Sequence, residues 1–188
     1  MNFEKIKNNI INKLSGLDPR LCYHTINHSL DVVKQAERIA GDENIVNERE
    51  VYLLKIAALY HDSGFLKTYI GHEEISCTIL LSDADNLDID KNEIQFVQDL
   101  IMVTKISNKP TTPLEKILRD ADLDYLGRTD FFEIADLLRK ELLAYNFIAN
   151  DREWEKTQLT FLEEHHYFTK SSQLLREPVK KANYLSLL

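Results

Sequence analysis

Apolar residues recur along almost the whole chain at the three- and four-residue spacing of amphipathic helices. No alternation of apolar and polar residues is long enough to require a strand. The five glycines and four prolines fall between the periodic segments, and Asn27 is a plausible N-cap. The pattern predicts an all-α bundle with short connections. Its helices are expected near residues 2–15, 27–41, 48–61, 72–82, 90–106, 113–126, 129–147, 151–167 and 170–185.

The length of 188 residues fits one domain, 1–188, with enough apolar mass for a real core. We expect a functional core at about 23–127, which contains a short linker at Ser107–Pro113. The C-terminal helices, 129–188, are expected to pack on that core. The last run, LLREPVKKANYLSLL, is amphipathic. It can close the bundle or pair with a second copy of the chain in a homodimer, and the sequence leaves both open.

The net charge of −8 argues against a nucleic-acid polymer as partner, because such binding needs a basic face. No segment has the length or apolarity of a membrane span or of a signal peptide, so we expect no membrane contact. Cys22 and Cys77 have neither metal-type spacing nor a disulfide pattern. These features favour the cytoplasm as the location.

The segment AALYHDSGF, Ala57–Phe65, ends a nearly uncharged helix with His61 and Asp62 side by side. His61 alone could be a harmless cation at a helix C-terminus. A carboxylate is disfavoured there, because the helix dipole is negative at that end. Asp62 either caps a turn, pairs with a lysine or is compensated by a metal ion.

Two further segments change the weight of these alternatives. Upstream, YHTINHSLDVV places His24 and His28 four residues apart, and His28 flanks the apolar stripe of its helix, whereas His24 lies off it or before the helix. Downstream, in LRDADLDYLG, Asp122 lies nearest the inner stripe and Asp120 is expected to face solvent. Three helices can therefore each direct a metal-type ligand inward, a set that suits a borderline-to-hard divalent ion.

With the spacing of YHxxxH, AALYHDSGF and DADL on a helical scaffold, residues from about Tyr23 to Gly127 resemble the HD-domain superfamily of metal-dependent phosphohydrolases. The resemblance implies an HD-domain-like bundle with one divalent metal, which could be Mn, Fe, Zn, Ni, Co or Mg. It implies His28, His61, Asp62 and Asp122 as the ligands. The expected reaction is hydrolysis, by a metal-bound water, of a nucleotide or another small phosphoester.

The resemblance also implies catalytic roles around the metal. The first motif is similar to that of cyclic-nucleotide phosphodiesterases, whose earlier histidine donates a proton to the leaving oxygen, and that position is His24 here. His72, in YIGHEEIS, is either a satisfied core histidine or a second proton donor, and we weigh these evenly. Asp62 or Glu73 could orient the attacking water.

A phosphate substrate on an acidic protein needs local cations. Lys67, Lys105 and Arg128 lie close in sequence to the expected ligands and could bind it, although for each one taken singly a solvated surface charge is the simpler interpretation. His165, in FLEEHHYF, could reach the cleft, but core packing is the simpler interpretation.

Departures from the family pattern keep two other functions open. Dimetal HD proteins carry two further histidines between the His-Asp pair and the last aspartate, whereas only His72 lies between Asp62 and Asp122. A di-iron oxygenase of HD type is therefore less favoured than a single-metal enzyme. A non-catalytic nucleotide-binding signalling module is the other alternative, and the presence of all four expected ligands argues against it. Phe65 stands where one signalling branch of the family has lysine, so we do not assign the chain to that branch.

Overall fold

A computed structural model describes residues 3–188, which contain nine α-helices, three short 3-10 helices and no strand. The all-α prediction is confirmed, and the first residue of the helix expected at 2–15 lies outside the described residues. The α-helices are α1 Phe3–Leu14, α2 Ile26–Asp42, α3 Glu48–Tyr60, α4 His72–Ser82, α5 Lys91–Val103, α6 Pro113–Asp122, α7 Phe131–Ala144, α8 Asp151–Glu164 and α9 Lys170–Leu185. The 3-10 helices are η1 Ser63–Leu66, η2 Ala84–Asn86 and η3 Asp124–Gly127.

Side-chain caps fix the start of two helices that carry the site, α3 and α6. Asn47 accepts hydrogen bonds from two backbone N–H groups in the first turn of α3. Thr112 and Glu115 form a reciprocal capping box at α6, with Pro113 at the first position. Each such cap satisfies N–H groups that have no partner within the helix and stabilises it by about 1 kcal/mol. The helix ends therefore follow from local sequence.

Three local expectations were wrong. Asn27 lies inside α2, and Thr25 occupies the N-cap position. Gly41 lies within α2 and Pro178 within α9, so neither the glycines nor the prolines all fall between helices. The helix expected at 113–126 ends at Asp122, because the chain tightens into η3 at 124–127.

The main core surrounds α3, which is why its sequence is apolar on nearly every face. Its residues Leu54, Ile56, Ala57, Ala58 and Leu59 are completely buried. Helices α1, α2, α4, α5 and α6 all contact it. The end of α3, with His61 and Asp62, is therefore anchored in the most densely packed part of the molecule.

A second apolar cluster joins the C-terminal helices to η3 and the start of α2. It contains Tyr23, Tyr125, Phe131, Trp154 and Leu162. This cluster lies on the side of the molecule towards which the ligands from α2, α3 and α6 converge. The C-terminal helices therefore contribute one wall of the site.

Asp120 is a correction to the expected solvent-facing position, because its exposure is 0%. The chain between α8 and α9 covers it, and its carboxylate accepts hydrogen bonds from the backbone N–H groups of Phe168 and Thr169 and from the Thr169 hydroxyl. Burial raises the pKa of Asp120 despite these bonds. Periodicity within α6 alone could not show that a distant loop covers this face.

Candidate metal centre

Each expected metal ligand lies at the end of a helix. His28 is in the first turn of α2, His61 follows the last residue of α3, and Asp62 precedes η1. Asp122 is the last residue of α6. Helices α2, α3 and α6 pack against one another, so these three ends meet at one point.

The ligand atoms face one another at short distances. His28 Nε2 lies 3.1 Å from Asp122 Oδ1 and 3.4 Å from Asp62 Oδ2. His61 Nε2 lies 3.1 Å from Asp62 Oδ2 and 3.4 Å from Asp122 Oδ1. One ligand atom each from His28, His61 and Asp122 falls within 4.8 Å of the others. His28, His61 and Asp122 therefore form one group, and the Asp62 carboxylate lies beside it, within 3.4 Å of both histidine nitrogens.

The buried atoms of this group fit a cation. His61 Nδ1 lies 2.8 Å from the carbonyl oxygen of Ala58 and donates to it, so Nε2 is the ring nitrogen that faces the centre. His61 Nε2 and Asp62 Oδ2 are both fully buried, and neither makes a hydrogen bond, although they face each other at 3.1 Å. Buried polar atoms without hydrogen bonds are costly. A divalent ion would satisfy both, and backbone orientation of the second ring nitrogen is typical of histidine ligands.

The charges within the centre are mutually stabilised. Burial disfavours the charged carboxylates, but the neighbouring imidazoles outweigh it and hold the pKa values of Asp62 and Asp122 well below their usual range. Burial likewise opposes a charge on His61, yet the adjacent Asp62 and Asp122 raise its pKa above the ordinary value. The carboxylates are therefore ionised, and the centre attracts cations.

His24 precedes α2 and is held by a residue that the sequence analysis did not single out, Glu141 of α7. The Glu141 carboxylate faces His24 Nδ1 and accepts bonds from the backbone N–H groups of Tyr23 (2.9 Å) and His24 (3.0 Å) and from the Tyr69 hydroxyl (2.8 Å). Burial opposes ionisation of Glu141, but His24 and these donors lower its pKa.

Glu141 has an exposure of 0%, which is unusual for a glutamate. A signal for it was present in the sequence. It lies three residues after Leu138 and four before Tyr145, in phase with the apolar stripe of α7. The argument applied to Asp122, that a carboxylate on an inner helix face indicates a functional role, applies equally to Glu141.

His72 begins α4 and lies beside the centre. Its Nδ1 bonds the Tyr69 carbonyl at 2.9 Å, and its Nε2 lies 3.5 Å from Asp62 Oδ1. Burial works against the charged ring, but Asp62 raises the pKa of His72. Phe65 stacks between the rings of His72 and His24, with centroid separations of 4.0 Å and 4.2 Å. Glu73 is buried next to this group, 3.8 Å from His72 Nδ1.

The expected phosphate-binding cations are not brought to the centre. Lys67 is exposed. Lys105 pairs with Glu74, and Arg128 pairs with Asp31 and Asp130. Among residues 3–188, these three cations do not belong to the wall of the cavity that adjoins the centre.

His165 is also absent from the described wall of that cavity. It lies between α8 and α9 beside Phe161 and Tyr167, and burial together with Lys180 and Arg119 lowers its pKa to about 3. The structure thus places it in the core, the simpler of the two interpretations.

A comparison with protein families decides what this helical arrangement is. The HD-domain family profile matches residues 25–124, which is more than half of the chain. The chain belongs to the HD-domain family. The matched range contains His28, His61, Asp62 and Asp122, and membership places this HD-domain protein in the superfamily of metal-dependent phosphohydrolases.

The HD-domain match ends before α7, α8 and α9, so the family profile does not cover Glu141 or the C-terminal wall. No curated protein and no solved structure matches the chain significantly. Within residues 3–188, no helix combines the length and apolarity needed to cross a membrane.

Proposed function

We propose that this HD-domain protein is a metal-dependent phosphohydrolase that acts on a nucleotide or another small phosphoester in the cytoplasm. One divalent ion would be held by His28, His61, Asp62 and Asp122. The observation that carries the proposal is the convergence of His28, His61 and Asp122, with Asp62 Oδ2 within 3.4 Å of both histidine nitrogens, at a point where His61 Nε2 and Asp62 Oδ2 are buried without a hydrogen bond. A centre used only for structure would not require a cavity at its edge, and Asp62 and Asp122 both line one.

A bound divalent ion would supply two effects: it lowers the pKa of a water and polarises the phosphoryl group. The chain supplies orientation. Ala58 fixes the ring of His61 through Nδ1, so Nε2 faces the centre. Asp62 directs Oδ2 toward His28 and His61 and Oδ1 toward His72, so it can orient both a ligand and a water.

His24 is the proposed proton donor to the leaving oxygen. Glu141 engages its Nδ1, which leaves Nε2 for the substrate, and the stack on Phe65 fixes the ring plane. His72 is the second donor in reach of the cavity, since it too lines the wall. Glu73 lies on the same wall and can accept a proton from water.

The first experiment measures bound metal and hydrolysis on the same preparation, purified without chelator or metal-affinity tag. We expect about one equivalent of a divalent metal and metal-dependent hydrolysis of phosphomonoesters or diesters. Asp62→Ala should lose both the bound metal and the hydrolysis, because Asp62 is one of the proposed ligands and its carboxylate faces His28, His61 and His72. Asp99→Ala, an exposed aspartate on α5, is the matched control and should keep both.

Other results would overturn the proposal in distinguishable ways. Two equivalents of iron with an oxygen-sensitive spectrum would support the oxygenase. Tight nucleotide binding without turnover under every metal would support the signalling module. Absence of metal after incubation with Mn, Zn, Ni, Co, Fe or Mg would contradict the metal centre itself.

Glu141→Gln tests the role of His24 separately. The variant keeps the shape but removes the charge that faces His24, and we expect kcat to fall about 10- to 100-fold with metal content unchanged. Glu133→Gln, on the exposed side of the same helix, should keep the wild-type kcat. Unchanged kcat in Glu141→Gln would remove His24 as the proton donor.

A further inference from the structure

A cavity of about 320 Å³ runs from the metal centre to the C-terminal helices, within the size range of small-molecule sites. At one end its wall includes Asp62 and Asp122. At the other end the wall is formed by apolar side chains of η3, α7 and α8. These include Leu126, Phe131, Leu138, Leu142, Trp154 and Phe161.

Beyond His24 and His72, which lie beside the metal centre, the wall is poor in positive charge. Within residues 3–188, Arg119 is the sole lysine or arginine on it. The Arg119 guanidinium donates to the backbone carbonyl oxygens of Val103 at 3.0 Å, of Thr104, and of Ile106 at 3.3 Å. Its donors are therefore directed at the chain between α5 and α6, where they hold that turn.

Negative charge, by contrast, is present on the wall as Asp62, Glu73 and Asp122. A nucleoside triphosphate brings about four negative charges, and the cations of one metal centre cannot match them in a cavity with this wall. A single phosphate group at the metal leaves far less charge uncompensated. The electrostatics favour a ligand with one phosphate.

Gln158 gives the apolar end one polar position. It lies on α8, lines the cavity and is 8% exposed. Its side-chain amide can bond a ligand group in the cavity, and a ligand that offers such a group would be selected over one that does not.

We propose that the substrate of this centre carries one phosphate and an uncharged, largely apolar organic group, which occupies the cavity between α7 and α8 and bonds Gln158. Burial of such a group against leucine and aromatic side chains supplies binding energy that the missing cations cannot supply. This inference rests on the proposed function for the identity of the reacting group. It adds the class of substrate and excludes polyphosphates.

The test uses the full-length, metal-loaded protein and a series of alkyl esters whose leaving alcohols are of equal acidity: ethyl, butyl and hexyl phosphate, with phenyl phosphate, 1-naphthyl phosphate and a nucleoside triphosphate beside them. We expect kcat/KM to rise at least about 10-fold from ethyl to hexyl phosphate. The triphosphate should be the poorest substrate. A flat series, or a preference for the triphosphate, would overturn the inference while leaving a phosphohydrolase.

Calorimetric binding of methyl- and phenylphosphonate, which are not cleaved, gives a readout that needs no turnover. Tighter binding of phenylphosphonate supports the inference even if no ester is hydrolysed, a result that would contradict the proposed function alone. Equal binding of the two phosphonates contradicts the inference.

Leu138→Trp should fill the cavity and lower kcat/KM for 1-naphthyl phosphate at least 10-fold more than for ethyl phosphate. Leu137→Trp is the matched control, because Leu137 is the preceding residue on α7 and is 40% exposed. If Leu138→Trp does not fold, Gln158→Leu provides the second variant, and it should change the ranking among ring-substituted phenyl phosphates. Identical effects of both tryptophan variants on both esters would overturn the inference.

Discussion

At the residue scale, His165 is a buried histidine without the partners that usually accompany one. Neither ring nitrogen has a hydrogen-bond partner within the described residues. Burial comes first among the causes that lower its pKa to about 3, followed by repulsion from Lys180 and Arg119. The ring is therefore neutral in the folded state at neutral pH.

His165 makes folding stability depend on pH. Its pKa falls from 6.5 in the unfolded chain to about 3 on folding, so the unfolded state binds more protons between these values. Stability from the neutral ring is complete above pH 6.5 and is lost as pH falls towards 3. When the pH falls from 7.5 to 5.0, protonation of His165 in the unfolded chain should lower the free energy of unfolding by about 2 kcal/mol.

Urea unfolding at these two pH values measures the effect. His165→Phe should remove about 2 kcal/mol of the pH dependence, because phenylalanine does not titrate. His166→Phe, at the exposed neighbour, should leave the dependence as in wild type. If the free energy of unfolding depended on pH equally in wild type, His165→Phe and His166→Phe, folding would not lower the pKa of His165.

At the element scale, the contact of η1 with α4 positions His72 beside the centre. Gly64 allows it, since a Cβ there would lie 1.9 Å from the His72 carbonyl oxygen and 2.9 Å from its Cα. The Gly64 N–H donates to the Ser76 hydroxyl at 2.8 Å, and that hydroxyl donates to the His61 carbonyl at 2.6 Å. The approach of two backbones thus links the ends of α3 and α4.

Gly64→Ala should lower the free energy of unfolding by at least about 2 kcal/mol, because the added methyl meets backbone and cannot be accommodated by a rotamer change. It should also weaken metal binding by moving the start of α4. Gly41→Ala is the matched control: a Cβ there meets nothing within 4 Å. That variant should be neutral or up to about 1 kcal/mol more stable, and a stable Gly64→Ala would contradict the close approach.

At the scale of the whole molecule, Asp124 ties the HD-domain match to the C-terminal helices. Its carboxylate is 1% exposed and accepts bonds from Arg38 of α2 at 2.7 Å and Arg176 of α9 at 2.8 Å. Gly127 of η3 meets the Arg176 backbone so closely that a Cβ would lie 2.4 Å from its carbonyl oxygen. These contacts lead us to propose that residues 1–188 unfold as one unit.

The single tryptophan, Trp154, reports on the C-terminal helices, whereas far-UV circular dichroism reports on all helices. We expect both probes to give the same urea midpoint. Arg176→Met should lower both midpoints together, which corresponds to a loss of about 2–3 kcal/mol in the free energy of unfolding. Breaking a lone buried ion pair costs ~3–5 kcal/mol, and the loss is smaller here because Arg38 still pairs with Asp124. Arg139→Met, whose partners are exposed, should cost under about 1 kcal/mol.

Separate midpoints for the two probes would show that the C-terminal helices are an independent unit. A shift of the fluorescence midpoint alone in Arg176→Met would give the same answer.

The sequence by itself determined the helical class and most helix positions, and its resemblance to a family supplied the residues expected at the candidate metal centre. Apolar periodicity and capping residues act within a few residues of each other, so they can be identified without knowledge of the fold. His28, His61 and Asp122 also lie on or beside apolar stripes, which is a local property. The tertiary structure then brought these three side chains together.

Only the tertiary structure decided which further residues belong to the site, because their partners are far away in the chain. Glu141 reaches His24 across 117 residues, and Asp120 is buried by a loop 48 residues later. Lys105 and Arg128 lie near ligands in sequence, yet they pair with acids elsewhere. Charge neutralisation and burial depend on packing between distant segments, and proximity along the chain does not determine them.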